Sequence, residues 1–276
     1  MNTLSPDKTP YRVLFFAPQA YNFTIRLKGS IPRYLSWAFI NLFTSLFYAL
    51  HPTSLATTRS IWAAITMAFG ILYIYEYGYM HNDAISTTHE TAPSLRLNAQ
   101  QTEYFTKKKN IIFATHSIVF ALSLIVTYLL SPHTYTLYAI ISAAAIPLLF
   151  WLYNHWYSIY KVWLYLPLVV SKFLPFVWLS NYEDTNLLIT LIILVYPLEI
   201  WIERFSIEKY RFRFMSKLIR TERDKQPLRA IYYAITTPIV ALLLQLTFND
   251  IWLITPFIIF AIYRLIMYKI STSKQE

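Results

Sequence analysis

The chain has 276 residues, 56% of them hydrophobic, 18% aromatic and 14% charged, with a formal net charge of +10. A soluble domain carries nearer a quarter of charged residues, so the composition points away from a water-soluble globule. The absence of cysteine excludes disulfides, thiol nucleophiles and thiolate metal sites.

In chain order, a polar N-terminal segment, 1–33, comes first. Its first apolar run, 13–20, has no small-residue cleavage pattern behind it, so no cleaved leader is expected. Stretch 11–27 mixes aromatics with Arg12 and Arg26, which predicts an amphipathic segment lying in a membrane interface. Eight apolar runs follow, at 34–50, 61–80, 111–130, 135–153, 162–179, 187–202, 230–247 and 251–268, each bounded by polar or proline-containing residues. A spanning helix needs about 20 apolar residues, and the first and sixth runs are short by that measure. Pro147, Pro167, Pro175 and Pro197 fall inside runs, where kinks are expected. The pattern predicts an all-α, multi-pass transmembrane bundle forming one domain over 1–276, with longer cytoplasmic loops at 81–110 and 203–229 that are expected to carry function.

Lysine and arginine mark the cytoplasmic side. With the N-terminus inside, the segments 1–33, 81–110, 154–161, 203–229 and 264–276 hold five, four, one, nine and three basic residues, together 22 of the 24. The outer loops hold Arg59, and Lys172 lies within the fifth run. Both termini are therefore expected in the cytoplasm, with the protein in a cytoplasmic, inner-type membrane. The positive charge is topological, and no nucleic-acid partner is expected.

Two polar segments carry candidate chemistry. The second run ends Glu76-Tyr-Gly-Tyr-Met-His-Asn82-Asp83, followed by Ser86, His89, Glu90, Pro93 and Arg96. Glu76 and Asp83 share a helix face, and if the helix continues, Glu90 joins them two turns on. Hard oxygen ligands beside phosphate suit Mg²⁺, and Arg96 offers a planar fork to a phosphate oxygen; the alternative is a polar helix end with solvated charges. The sixth run ends with Glu199 and Glu203, four residues apart and so neighbours whose like charges repel. Either a metal or a cation must offset them, or they sit at the surface with Arg204 and Lys209. Lys161, just after Tyr157 and Ser158, either meets a phosphate or snorkels to headgroups. Lys172 sits midway along an apolar helix, where a lone ammonium costs several kcal/mol, so it should face the interior and meet an acidic group or a phosphate. His51, His116 and His133 read as structural.

This arrangement resembles the UbiA superfamily of membrane prenyltransferases and related transferases. The family's first motif, Asn-Asp-x-x-Asp-x-x-x-Asp after the second helix, is matched by Asn82, Asp83 and Glu90, with Ser86 where the middle Asp is expected. The stretch from Pro93 to Arg96 resembles the basic segment that follows. Tyr157, Ser158 and Lys161 resemble its Tyr-Ser-x-x-x-Lys segment, and Glu199 with Glu203 stand in place of its second Asp-x-x-x-Asp motif. The resemblance implies a bundle around a central cavity open to lipid; nine helices are common in the family, against eight runs in this chain. It further implies Mg²⁺ as cofactor, held by Asp83, Glu90, Glu199 and Glu203. The substrate would be a polyprenyl phosphate or diphosphate contacted by Asn82, Arg96, Tyr157, Lys161, Lys172 and Lys209. The reaction would be prenyl transfer to an acceptor, with phosphoribosyl transfer onto the lipid phosphate as second choice. Two other classes compete: a transporter or flippase of a lipid-linked substrate using Glu76 and Lys172, and a non-catalytic membrane scaffold docking through 203–229.

Overall fold

The computed structural model describes residues 10–50, 57–89, 95–156, 161–180, 182–207, 210, 212–221, 224–247 and 250–273. They are predominantly helical, with no strand among them, and the chain divides into two compact units, Met1–Glu183 and Asp184–Glu276.

The first unit is organised around the helix Thr58–Ala84. Thr57 and Ser60 form a reciprocal capping box at its start, satisfying two backbone donors that would otherwise be orphaned. In chain order the unit holds α1 (Tyr11–Phe16), α2 (Ile31–Ala38), α3 (Thr44–Leu50), α4 (Thr58–Ala84), α5 (Ala99–Leu130), α6 (Thr134–His155) and α7 (Lys161–Leu179). α4 packs against α3, α5, α6 and α7. Small residues make the close approach possible. A Cβ at Gly70 would lie 2.6 Å from the Cβ of Ser123 on α5, and one at Gly78 would lie 2.4 Å from the ring of Phe150 on α6. Met67, Ile71, Ile74, Phe120, Ala143 and Phe176 fill the core between these helices.

The N-terminal segment buries one face against the helices: Leu14, Phe15 and Tyr21 are fully buried against Met80, Ala84, Phe105 and Ile112, while Arg12 and Val13 are exposed. A left-handed residue, Gln19 (φ 61°), turns the chain, and a π-helical turn at Asn22–Arg26 follows. The aromatic rings Phe15 and Tyr21 pack onto α4 and α5.

The polar segment 81–110 is mostly helix. α4 ends at Ala84, and a 3₁₀ turn covers Ser86–His89. The helical register therefore does not run on from Asp83 towards Glu90, which lies outside the described residues. α5 begins at a second capping box, Asn98 with Gln101. At 1.5 Å per residue its 32 residues reach about 48 Å, beyond the roughly 30 Å of hydrocarbon. Its first turns, with Lys107–Lys109, thus extend past the apolar part.

The second unit contains α8 (Thr185–Val195), α9 (Pro197–Arg204), α10 (Arg213–Leu218), α11 (Lys225–Thr247) and α12 (Thr255–Ser273). α8 and α9 meet at a bend of 43°, because Pro197 has no N–H to continue the ladder. The carbonyls of Leu194 and Val195 accept instead from the hydroxyls of Tyr232 and Tyr233 on α11. Pro147, Pro167, Pro175 and Pro238 are accommodated inside continuous helices.

Among the described residues six helices are long and apolar enough to cross a membrane, or seven if the bent pair counts as one crossing. Leu129 is 71% exposed, and Ile118, Ile141 and Leu242 also face outward, as expected where lipid replaces water. This is a multi-pass membrane protein. The 34–50 run, expected as a plain span, is a helical stretch interrupted by a π turn at Phe39–Phe43.

Gly78→Ala forces the Phe150 ring to shift. Overpacking of this kind costs about 1–3 kcal/mol, so the variant should unfold at a lower temperature in detergent. An unchanged melting temperature would show that the α4–α6 contact is looser than described.

Candidate functional site

Asp83 lies at the last turn of α4 with its side chain wholly buried. Arg26, from the π-helical turn, grips it in a fork: Nε donates to Oδ2 at 3.0 Å and Nη2 to Oδ1 at 2.9 Å. Arg96 donates to Oδ1 at 2.8 Å, the Tyr21 hydroxyl to Oδ2 at 3.0 Å, and the Asn82 amide to Oδ1 at 3.3 Å. Lys161, at the start of α7, approaches the Asn82 carbonyl oxygen at 3.4 Å and lies over the Tyr153 ring. The Arg26 guanidinium also covers the Tyr79 ring at 3.8 Å. Burial disfavours the Arg26 charge, but the Asp83 carboxylate beside it prevails and holds Arg26 protonated more firmly than usual. Burial, reinforced by Asp83, pushes the Tyr21 hydroxyl well up, so it stays a donor.

One face along α4, two turns earlier, is Glu76. Its carboxylate accepts from the backbone N–H of Gln19 at 2.7 Å and of Asn22 at 2.9 Å. Gln19 returns a side-chain hydrogen bond to the Leu72 carbonyl, and the Tyr73 hydroxyl donates to the Phe16 carbonyl. Glu76 therefore holds the N-terminal turn, and Asp83 holds the arginine that the turn delivers.

Lys172 faces the interior of the unit, as its position demanded. It meets the side-chain oxygen of Asn41 and lies near the Tyr75 and Phe173 rings. The Asn41 amide donates to the Trp37 carbonyl at 2.7 Å within the π turn. The sequence predicts an acidic group or a phosphate beside this lysine; the hydrogen bond described is to the Asn41 amide, carried by the π turn.

In the second unit, Glu199 occupies the first turn of α9 and Glu203 the last, both buried. Arg229 of α11 spans them, forming a two-point pair with Glu203 and reaching Glu199 at 3.4 Å. Arg264 of α12 binds Glu199 at 2.9 Å, and the Tyr233 hydroxyl lies 3.0 Å from Glu199, its one proton shared between that carboxylate and the Val195 carbonyl. The repulsion between two glutamates four apart is thus offset by arginine. These partners come from α11 and α12.

The structure thus brings Asn82, Asp83, Arg96 and Lys161 together and pairs Glu199 with Glu203 in the other unit. Glu90, Tyr157 and Lys209 lie outside the described residues. Arg26, Tyr21, Arg229, Arg264 and Tyr233 are the partners that sequence reasoning did not single out. Arg264, an ionisable group inside the last apolar run, carried the one available signal.

Mg²⁺ keeps several waters and takes one or two free carboxylates beside phosphate. Both oxygens of Asp83 are already shared among two arginines, a phenol and an amide. Glu199 and Glu203 are likewise engaged by arginine. No group of three potential ligands that would hold a metal occurs among the described residues. In this arrangement the described carboxylates do not fit a divalent cation. They hold cationic side chains, and those chains suit an anion.

Removing Arg26 leaves Asp83 buried with fewer partners. Breaking a buried pair costs about 3–5 kcal/mol, and Arg26 is 20% exposed, so Arg26→Gln should cost about 2 kcal/mol. A double-mutant cycle with Asp83→Asn should recover much of that loss. Additive losses would show that the pair is not coupled.

No protein-family model matches the chain, and no curated protein and no solved structure matches it, so the reading of both centres rests on their chemistry.

Proposed function

We propose that the chain is an integral-membrane transferase of the UbiA type acting on a polyprenyl phosphate or diphosphate. It spans the membrane eight times, counting the bent α8–α9 pair and the interrupted 34–50 stretch, with both termini in the cytoplasm. The observation that carries the reading is the excess of cations around Asp83: Arg26, Arg96 and Lys161 gather about one carboxylate and its neighbour Asn82. Arg96 is 39% exposed at its side chain, so its guanidinium is accessible at the helix end.

A planar guanidinium binds phosphate oxygens through paired N–H donors, and a lysine adds a compact charge. Asp83 acts as a positioning residue, holding two arginines in place before the headgroup arrives. In prenyl transfer these cations would stabilise the negative charge that develops on the departing diphosphate. In phosphoribosyl transfer they would hold the lipid monophosphate as nucleophile while diphosphate leaves the sugar donor. Because the described carboxylates are committed to arginine, the second reaction fits them better, since the lipid phosphate is then held and not ionised.

The transporter reading would use Glu76 and Lys172 as coupling groups. Both are engaged with protein partners, the N-terminal turn and Asn41, which favours the enzyme.

Native mass spectrometry of the purified protein with a long-chain polyprenyl monophosphate tests the proposal. Binding should persist in EDTA and weaken about tenfold in Arg96→Gln, the loss expected for about 1.4 kcal/mol. Asp83→Asn should abolish lipid-phosphate turnover. Binding equal to wild type in Arg96→Gln, or wild-type turnover in Asp83→Asn, would remove this cluster from the mechanism.

A further inference from the structure

A cleft of about 250 Å³ lies between α4, α5 and α6, at the end of the helices that carries Lys107–Lys109. Its walls include Tyr77, Phe113, Phe150 and Trp151, and its polar lining is His81, Asn154 and His155. It is distinct from the Asp83 cluster. His81 and Asp83 are two residues apart on α4, hence about 200° apart around the helix. Phe113 and Trp151 are 45% and 55% exposed, so the cleft opens sideways onto the apolar surface.

Three observations define what it would hold. Asn154 is 2% exposed, and its amide N–H donates to the Gly78 carbonyl at 3.2 Å. Its side-chain oxygen is buried with no hydrogen-bond partner among the described residues. An orphaned buried acceptor costs about 1–3 kcal/mol, which a donor arriving in the cleft would recover. His155 Nδ1 contacts the Trp151 carbonyl at 2.8 Å and must therefore be the donor there. A neutral ring bonded in this way presents Nε2 as an acceptor. The His81 ring lies 5.6 Å from that of His155, and its Nδ1 is also buried and without a partner.

Asn154 Oδ1 and an Nε2 acceptor on His155 are matched by an incoming donor and not by an anion, and the second Asn154 amide N–H and the Tyr77 hydroxyl let the same head accept as well. A cation would meet the lysine run on α5, where Lys109 shares a helix face with Phe113. What remains is a neutral donor on an apolar body. The volume falls below the roughly 300–1,000 Å³ of sites that enclose a whole drug-sized ligand, so a headgroup enters and its chain leaves through the exposed mouth. We propose that this cleft binds the hydroxyl head of a neutral membrane lipid, donating to Asn154 Oδ1 and to a histidine ring nitrogen, with the apolar chain lying over Phe113 and Trp151.

The proposal does not rest on the transferase reading. It is tested on the full chain in nanodiscs with a photoreactive long-chain alcohol and with same-chain probes bearing trimethylammonium or carboxylate heads. Adducts are mapped by mass spectrometry. The alcohol should label the segments around Phe113 and Trp151 saturably, and the charged probes should not. Competition with unlabelled long-chain alcohol against unlabelled diacylglycerol distinguishes the two natural sources of such a head. Losing one hydrogen bond of about 1 kcal/mol should cut labelling about fivefold, in Asn154→Leu and in His155→Leu alike. Because Asn154 also braces α4, His155→Leu, at an exposed position, decides the matter if Asn154→Leu does not fold. Arg96→Gln should leave labelling unchanged, which separates failure of this site from failure of the phosphate cluster. Equal labelling by the trimethylammonium or carboxylate probe, or undiminished labelling in His155→Leu, would overturn the proposal.

Discussion

Two buried carboxylates on one face of α4 organise the polar end of the first unit. Glu76 and Asp83 stand two turns apart, in a helix otherwise packed by apolar and small residues. A carboxylate buried without partners is too costly to keep charged, so each must draw donors from elsewhere in the chain. Glu76 draws the backbone N–H groups of the Gln19–Asn22 turn, and Asp83 draws Arg26, Arg96 and Tyr21. The N-terminal segment is therefore folded down onto α4 by electrostatics as well as by Leu14, Phe15 and Tyr21. The site's composition follows from that constraint, because the anions on α4 determine where the cations must sit.

The second unit solves the same problem with different parts. Pro197 interrupts the helix, and the bend frees two carbonyls that tyrosines on α11 satisfy. The break restarts the helix as α9, with Glu199 in its first turn. There a negative side chain is favoured by the helix dipole. Arg229 and Arg264 then bring two arginines to two glutamates. Pairs of this kind add little net stability over an apolar core, but they become costly once one partner is lost. They fix which faces of α9, α11 and α12 meet more than they strengthen the contact.

Much of this was legible in the residues. Apolar runs separated by basic loops defined the multi-pass helical class, and six of the eight runs appear as helices long enough to span. Glu76 with Asp83 and Glu199 with Glu203 were each correctly placed on a common helix face. The partners were not legible. Arg26 is 57 residues from Asp83, and Arg264 is 65 from Glu199; helical periodicity carries no information about such pairings. The 81–110 segment looked like a loop because polarity was read as absence of helix, whereas the Asn98–Gln101 capping box starts α5 well before its apolar part. In the 11–27 stretch the mix of aromatics and arginines marked an amphipathic segment, but the partners of its buried face, Met80, Ala84, Phe105 and Ile112, could not be read from periodicity.

Lys172 shows how far the polar chemistry is confined to helix ends. An ammonium deep in an apolar bundle would ordinarily mark a substrate path or an ion pair. The π turn at Phe39–Phe43 instead rotates Asn41 so that its amide spans from the Trp37 carbonyl to the lysine. The Asn41 side-chain oxygen gives the Lys172 amino group a neutral hydrogen-bond acceptor. The charge midway along α7 is thereby tied into the packing of the bundle. The Asp83 cluster differs in kind: it keeps more positive than negative groups together, with Arg96 partly exposed. Among the described residues the cluster carries a local excess of positive charge reachable from outside the bundle, and under the proposed function a lipid phosphate would bring the charge and the geometry to match it.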